Sequence, residues 1–196
     1  MTEKPIILVM GKRGSGKSYL VNKLVATERR LLVWDRMSEY SNGIVFTPEE
    51  RSQFREFFYE VYRKSFRIIY RPLHPTQEIG WISELIYVLG NVTFVVEEVD
   101  SICTSYQLDE TMEGIINRGR HKNITLIGVS HAPFGIHRDL TRQAKEVYVF
   151  NTNEPRDLAY LRNLLGVEME NKVTKLDKYE YALWRDDQDE IEIGKA

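Results

Sequence analysis

The residues that most clearly suggest chemistry form a phosphate-binding loop (P-loop) near the start of the chain. The pattern G-x-x-x-x-G-K-[ST] is matched without exception by Gly11, Lys12, Arg13, Gly14, Ser15, Gly16, Lys17 and Ser18. Glycines at these positions let successive backbone N–H groups converge on phosphate oxygens. Lys17 would neutralise the β- and γ-phosphates, and the Ser18 hydroxyl would ligate Mg²⁺. We therefore expect this loop, together with Tyr19, to bind ATP and Mg²⁺.

Two adjacent carboxylates follow an apolar run further along the chain. Val92–Val96 predicts a buried strand, and Glu97 and Glu98 come directly after it. In this pattern the first acid, here Glu97, holds Mg²⁺ directly or through water. Glu98 would polarise the attacking water as general base, which distinguishes hydrolases from kinases and simple binding proteins. Asp100 competes for the same role, but its position favours the loop that leaves the strand.

A polar pair completes the expected site. The apolar run Ile124–Val129 predicts another buried strand, and Ser130 and His131 follow it. At this position in P-loop ATPases with an added central strand, a polar residue touches the γ-phosphate and reports hydrolysis. We expect His131 to be that sensor, with Ser130 as the second candidate. The alternative is a histidine whose ring is satisfied by the backbone of the loop.

A dense basic cluster, Asn117–Lys122, comes just before that strand. Because the cluster precedes the strand, it should lie at the sheet edge opposite the nucleotide. We therefore expect Arg120, ahead of Arg118, to serve a neighbouring subunit's nucleotide as an arginine finger that stabilises transition-state charge. The alternative is a solvated helix end, where basic residues suit the helix dipole.

Strands and helices that could position these residues alternate along nearly the whole chain. The strand-like runs are Ile6–Met10, Leu31–Trp34, Phe66–Tyr70, Val92–Val96, Ile124–Val129 and Val147–Phe150. The helix-like runs are Lys17–Glu28, Pro48–Lys64, Gln77–Leu89, Leu108–Asn117 and Pro155–Leu165, the last with Asn153 or Thr152 as its cap. After Gly166, alternating residues predict a C-terminal β-hairpin over 179–193. The order predicts an α/β fold in one domain, 1–196.

Composition limits the classes of protein that remain. The 196 residues, 42% of them hydrophobic and 29% charged, indicate a soluble globular chain with one full core. The net charge of −2 argues against a strongly basic nucleic-acid coat protein but allows a locally basic patch. The single cysteine, Cys103, excludes an internal disulfide and a zinc site built from several thiolates. We expect it to be a small buried or half-buried residue and not a nucleophile.

The hydropathy pattern favours an intracellular protein. No apolar run approaches the roughly 20 residues that a membrane-spanning helix needs. The segment Met1–Pro5 leads into a short apolar run with no signal-peptide pattern after it. We therefore expect no membrane span.

Taken together, these motifs resemble those of the HerA–FtsK superfamily of P-loop motor ATPases. The likeness is strongest to the small genome-packaging ATPases of tailless, membrane-containing double-stranded DNA viruses. The segments that carry it are Gly11–Ser18, Asp35 with Glu39 and Tyr40, Phe94–Glu98, Gly119–His121 leading to Ser130 and His131, and Asn153–Pro155. The chain departs from the family's pattern at two positions, since the usual sensor is Gln instead of His131 and the usual first acid is Asp instead of Glu97.

The resemblance implies a RecA-like (ASCE) fold, which is a three-layer αβα sandwich with a mainly parallel sheet of order 5-1-4-3-2. It also implies a ring of five or six subunits that drives double-stranded DNA into a viral procapsid in the host cytoplasm. Virion association and partners at a capsid vertex or portal would follow. Basic candidates for DNA contact are Lys64, Arg67, Arg71, Lys122, Arg138 and Arg142.

Other functions remain compatible with a P-loop. One is a small-molecule kinase, which Glu98 and the lack of a clear arginine-rich lid argue against. A second is a ring-forming assembly or secretion ATPase of the filamentous-phage morphogenesis type, which typically carries a transmembrane segment after the ATPase domain. A third is a regulatory nucleotide-binding module that does not hydrolyse.

Overall fold

In the computed structural model, which describes residues 5–104 and 106–196, nine strands form one sheet. Most of the segment Met1–Pro5 thus lies outside the described residues. The strands are β1 Ile6–Met10, β2 Arg30–Trp34, β3 Ile44–Phe46, β4 Phe66–Tyr70, β5 Val92–Val96, β6 Ile124–Ser130, β7 Ala144–Phe150, β8 Glu180–Arg185 and β9 Glu192–Lys195. Neighbouring strands from β1 to β7 pair in parallel. Strand β8 pairs antiparallel with β7, and β9 pairs antiparallel with β8.

Helices connect most of these strands. They are α1 Lys17–Leu24, α2 Arg51–Val61, α3 Pro75–Leu89, α4 Glu110–Arg118, α5 Arg138–Arg142, α6 Pro155–Leu165 and α7 Val167–Val173. Short 3-10 turns cover Pro48–Glu50, Val99–Ser101, Gly119–Lys122 and Pro133–Gly135. Strand–helix–parallel strand connections of this kind place the helices on the faces of the sheet.

The strand order is β3-β4-β2-β5-β6-β1-β7-β8-β9. It differs from the expected five-strand order because β3 and β4 extend the sheet beyond β2, and β8 and β9 extend it beyond β7. The five central strands lie in the order β7-β1-β6-β5-β2. If these five are renumbered 1 to 5 along the chain, the order is 5-1-4-3-2. The predicted class, an α/β fold with a mainly parallel sheet and helices on both faces, is confirmed.

The two faces of the sheet are covered unequally. On one face α1 packs Leu20 and Val21 against alternate residues of the central strands, including Val9, Val33 and Val95. The other face is covered by several helices, which contribute Phe54, Ile82, Met112 and Leu161. Cover on both sides explains why the central strands are apolar at nearly every position.

Several predicted helix ends were wrong: α2 ends at Val61 and not at Lys64, α3 begins at Pro75 and not at Gln77, and α4 spans Glu110–Arg118 and not Leu108–Asn117. Helix α1 ends at Leu24 and not at Glu28. The Arg67 guanidinium on β4 caps this end, because it donates to the carbonyls of Val25 and Glu28 at 3.0 and 3.1 Å. Helix α6 starts at Pro155 as expected, but its cap residue is Glu154, without a side-chain cap bond.

The expected capping of α6 by Asn153 or Thr152 is therefore wrong. The Thr152 hydroxyl accepts the Glu154 N–H at 3.4 Å, one residue before the helix begins. Pro155 at the first helical position has no N–H to satisfy, which reduces the need for a side-chain cap.

The C-terminal hairpin was predicted correctly. β8 pairs with β7 with Trp184 opposite Val147, and β9 pairs with β8. Strand β3 and helices α5 and α7 were not predicted. Their lengths of 3, 5 and 7 residues are too short for a hydrophobic period to develop.

Two further expectations concern Cys103 and the membrane. Cys103 is fully buried, as expected, and burial raises the pKa of its thiol to about 12. Within residues 5–104 and 106–196, no helix is both long and apolar enough to cross a bilayer.

Candidate active site

The P-loop joins the end of β1 to the start of α1. At Gly11 the backbone passes so close to β7 that an added Cβ would lie 2.7 Å from the Cβ of Phe150. Gly14 and Gly16 have φ values of +75° and +106°, a region that side chains other than glycine rarely adopt. Gly16 caps α1 without a side-chain bond, and the first turn holds no acidic residue. The helix N-terminus is therefore suited to an anion.

Lys17, the first residue of α1, is only 6% exposed. Its ammonium contacts the Lys12 carbonyl at 3.2 Å and Nδ1 of His131 at 3.1 Å. Burial lowers the pKa of Lys17, and nearby carboxylates, Glu97 first, act in the opposite direction. In the same loop Ser15 Oγ is buried and has no partner within the described part of the chain. A desolvated cation beside an unpartnered hydroxyl fits an anionic ligand such as a triphosphate.

Glu98 follows the end of β5 and lies close to His131, which follows β6. Its φ and ψ of 50° and 47° are unusual for a residue with a side chain, and such outliers cluster at active sites. The Glu98 carboxylate pairs with the Arg36 guanidinium at 2.8 Å and lies 3.6 Å from Nε2 of His131. Because Nδ1 of His131 faces the Lys17 ammonium, we assign the ring proton to Nε2. His131 thus links Lys17 to Glu98.

Ser130, the second sensor candidate, is turned into its own loop. Its hydroxyl donates to the Ala132 carbonyl at 3.0 Å and accepts the Ala132 N–H at 3.1 Å. Its backbone carbonyl accepts the Gly11 N–H at 3.1 Å. Ser130 therefore anchors the P-loop to β6, and the polar group that faces the site is His131.

Glu97 is 3% exposed and accepts the Tyr40 hydroxyl at 2.5 Å. Burial raises the pKa of Glu97 from 4.5 to about 7, and the hydrogen bond from Tyr40 partly opposes that effect. Burial also raises the pKa of the Tyr40 phenol, so this group stays a donor. The structure thus places Glu97 beside the P-loop with one oxygen engaged by Tyr40.

The described residues could hold a metal ion with the help of a substrate. The Ser18 hydroxyl donates to the Glu39 carboxylate, and Glu97 directly follows the last residue of β5. No group of three or more His, Cys, Asp or Glu side chains among the described residues could bind a metal alone. Mg²⁺ is usually bound by one or two carboxylates together with substrate phosphates and water, so these residues fit it.

The basic cluster lies at the amino-terminal ends of the central strands, opposite the P-loop. Arg120 is exposed in the turn before β6 and lines a cavity of about 260 Å³ with Ile6, the first residue of β1. The P-loop follows the last residue of β1, so the full length of the strand separates the two. Arg118 lies over the ring of Tyr87, 5.5 Å from its centroid.

The basic candidates for DNA contact divide into two groups. Arg71 binds the Asp35 carboxylate at 3.2 Å, and Arg67 donates to the backbone at the end of α1, so both are used inside the fold. The others are exposed and are Lys64, Lys122, Arg138 and Arg142. Lys122 lies 5.4 Å from the centroid of the Tyr87 ring.

A cavity of about 440 Å³ adjoins the P-loop. It is lined by Lys12, Arg13, Phe150, Leu176, Lys178 and Tyr179, among others. Tyr19, an expected nucleotide contact, is 67% exposed and does not line this cavity. Residues 176 to 179 were not predicted to lie near the P-loop, because they are more than 150 residues away from it along the chain. A larger cavity, of about 790 Å³, lies between α2 and α3, away from the P-loop.

The sequence reasoning missed the partners of all three site oxygens: Arg36 for Glu98, Tyr40 for Glu97 and Glu39 for Ser18. These partners come from the loop after β2, which pairs with β5. The position of this loop directly after a predicted strand was the available signal, because parallel neighbouring strands bring their carboxyl ends to the same side of the sheet.

Strand β1 leads through the P-loop into α1, and the strand that ends in the acid pair, β5, is separated from β1 by β6. This arrangement defines the P-loop NTPase fold with an added central strand. No protein-family model matches the chain, and no curated protein has a detectably similar sequence.

Solved structures do match. The genome packaging NTPase B204 from Sulfolobus turreted icosahedral virus 2, in complex with AMPPCP, is 21% identical, with a TM-score of 0.79 over 100% of this chain and 99% of its own. The pCW3 conjugation coupling protein TcpA is 11% identical, with a TM-score of 0.63 over 98% of this chain and 60% of its own. The N-terminal domain of zonular occludens toxin from Neisseria meningitidis is 11% identical, with a TM-score of 0.58 over 100% and 94%. The resemblance to viral packaging ATPases is thus confirmed at the level of fold.

Proposed function

We propose that the protein is a Mg²⁺-dependent ATPase that moves double-stranded DNA during viral genome packaging. The observation that carries the proposal is the contact of Lys17 and Glu98 with the two nitrogens of His131 at the mouth of the P-loop. The fold shared with B204, a genome packaging NTPase solved with AMPPCP and with ATP-gammaS, supports the choice of ligand and process.

The geometry supports in-line hydrolysis. ATP would place its phosphates on Gly14–Ser18, with Lys17 and the first N–H groups of α1 taking up the charge that develops on the leaving ADP oxygen. Glu98 accepts a proton from the attacking water as the new O–P bond forms and the bond between the β–γ bridging oxygen and the γ-phosphorus breaks. Bound Mg²⁺ would neutralise further phosphate charge. His131, between Lys17 and Glu98, would respond to the γ-phosphate.

Two substitutions separate binding from chemistry. Lys17→Ala removes the buried cation, so a fluorescent ATP analogue should no longer bind. Glu98→Gln keeps the side-chain volume and removes the base, so the analogue should bind as in the wild type while turnover falls by about 100-fold or more. Normal hydrolysis by Glu98→Gln would overturn the catalytic assignment.

The proposed work on DNA has its own test. Exposed Lys64, Lys122, Arg138 and Arg142 offer phosphate contacts that a ring of subunits would multiply. A translocating motor should displace a third strand bound to a DNA duplex, and displacement should require ATP hydrolysis. Hydrolysis without displacement in any ionic condition that permits DNA binding would favour an assembly or secretion ATPase instead.

The proposed ring accounts for the position of Arg120. From the edge opposite the P-loop, Arg120 serves a nucleotide only in a neighbouring subunit, in head-to-tail contact. Such a ring has a shared site at each interface. Capsid vertex or portal proteins would be its further partners in the host cytoplasm.

A further inference from the structure

The loop after β2, residues 35–40, is organised by one buried carboxylate. Asp35 is fully buried and accepts the N–H of Glu39 at 2.9 Å and that of Tyr40 at 3.3 Å. Arg71 pairs with Asp35 at 3.2 Å and donates to the Tyr40 carbonyl at 2.9 Å. The backbone of Glu39 and Tyr40 is therefore fixed, and so are the directions that their side chains take.

The two fixed side chains reach different parts of the site. The Glu39 carboxylate accepts the Ser18 hydroxyl of the P-loop. The Tyr40 hydroxyl donates to the Glu97 carboxylate, which is buried at the end of β5. The Ser18 hydroxyl is thus held by Glu39 and not by Glu97, although the sequence pattern predicts Glu97 as the acid of the metal site.

We propose that Glu39 is the positioning carboxylate of the Mg²⁺ site, acting through Ser18, while Tyr40 holds Glu97 back from that task. The inference rests on the proposed ATPase function and adds to it a residue outside the P-loop and the β5 acid pair.

The chemistry of a serine ligand explains why such an acceptor is needed. A hydroxyl binds Mg²⁺ through an oxygen lone pair, so its proton must be donated to another group. The Glu39 carboxylate accepts the hydrogen bond from the Ser18 hydroxyl, which leaves the lone pairs of the Ser18 oxygen free for the cation. The carboxylates of Glu97 and Glu39 both act to raise the pKa of Lys17 against the larger effect of burial, so both charges lie near the phosphate site. Groups that orient metal ligands in this way typically change metal affinity about 10- to 100-fold.

The test is a Mg²⁺ titration of the binding of a fluorescent ATP analogue to the full chain. Glu39→Gln should raise the Mg²⁺ concentration at half-saturation by about 10-fold or more, while binding in EDTA is retained. Glu97→Gln should produce a smaller shift. Ser18→Ala removes the ligand itself and should shift the midpoint at least as far as Glu39→Gln, whose neutral side chain is a weaker acceptor. The double variant should show no shift beyond that of Ser18→Ala, because Glu39 acts through Ser18.

Two further variants keep the test decisive. Glu49→Gln, an exposed carboxylate in the turn before α2, is the matched control and should leave the Mg²⁺ midpoint unchanged. Glu39→Asp keeps the charge but shortens the side chain, so its midpoint should fall between those of the wild type and Glu39→Gln. Circular dichroism of each variant checks the fold.

The inference on Glu39 and the proposed function fail in different ways. A larger shift for Glu97→Gln than for Glu39→Gln, or additive shifts for Ser18→Ala and Glu39→Gln, would overturn the inference alone. Failure of the wild type to bind the analogue at any Mg²⁺ concentration would overturn the proposed function, and the inference with it.

Discussion

Glu97 and Glu98 are neighbours in sequence, but their side chains lie in different surroundings. Glu97 is 3% exposed and bound by Tyr40, whereas Glu98 adopts a left-handed backbone conformation and pairs with Arg36 at the mouth of the site. The two acids are therefore suited to different tasks. In the proposed mechanism Glu98 acts on the water beside the γ-phosphate, whereas the burial of Glu97 makes the stability of the folded protein depend on pH.

The burial of the Glu97 carboxylate predicts a pH-dependent effect of Glu97→Gln on the free energy of unfolding. Because burial raises the pKa of Glu97 from 4.5 to about 7, the folded protein binds this proton more tightly than the unfolded chain. The contribution to stability is full below about pH 4.5 and is lost as the pH rises to about 7, a change of about 3 kcal/mol. Gln is neutral and still accepts the Tyr40 hydroxyl. At about pH 8 the variant should therefore be more stable than the wild type by up to that amount.

Urea unfolding without nucleotide or Mg²⁺ measures this effect. The difference between Glu97→Gln and the wild type should shrink towards zero at about pH 5, where the wild-type carboxyl is protonated. Glu49→Gln, which alters an exposed carboxylate, should show no such trend. A constant difference between Glu97→Gln and the wild type across this pH range would mean that Glu97 is not desolvated.

Among the elements, the P-loop and α1 depend on glycine for two separate reasons. Gly14 and Gly16 both have left-handed φ values. A Cβ on Gly14 would meet no atom within 4 Å, whereas one on Gly16 would lie 3.2 Å from Tyr179 and 3.3 Å from Ala196. Gly16 is thus restricted by the chain around β8 and β9 as well as by its own backbone.

This contrast predicts unequal effects of two alanine substitutions. Gly14→Ala should cost about 1–2 kcal/mol of stability, from backbone strain alone. Gly16→Ala should cost about 1–3 kcal/mol more, because Tyr179 and Ala196 must also move. Urea unfolding of both variants measures the difference. Equal losses would show that the C-terminal hairpin does not press on the P-loop.

The elements also show how far the sequence could predict the fold. The P-loop, the acid pair, the six strand-like runs and the terminal hairpin were visible because each depends on local pattern. Short β3, α5 and α7 were not visible, and the early end of α1 was not either, since it depends on Arg67 from a distant strand. Glu39 and Tyr40 were singled out by their resemblance to the family's motif, but their contacts with Ser18 and Glu97 were not predicted, because the order of strands in the sheet decides which loops meet.

At the scale of the whole molecule, the P-loop and Arg120 lie at opposite strand ends of the sheet. The P-loop follows the carboxyl end of β1, and Arg120 precedes the amino end of β6, which pairs with β1 in parallel. A contact that joins unlike edges of identical subunits is head-to-tail and can close into a ring. Such a contact is what the proposed arginine finger requires.

A mixing experiment tests the shared site. Lys17→Ala lacks a working P-loop but keeps its finger, and Arg120→Ala has the reverse defect. Each alone should hydrolyse little ATP, whereas an equal mixture should regain activity, with roughly one quarter of the interfaces complete on random mixing. Retained activity of Arg120→Ala alone, or a mixture no more active than its parts, would rule out Arg120 as the finger.

The most direct test of the central claim is the steady-state rate of ATP hydrolysis with Mg²⁺, measured with and without long double-stranded DNA over a range of protein concentrations. A DNA-coupled assembly of subunits predicts a rate that rises with DNA and more than linearly with protein, and that collapses in Glu98→Gln. A rate that is linear in protein and indifferent to DNA would contradict the account.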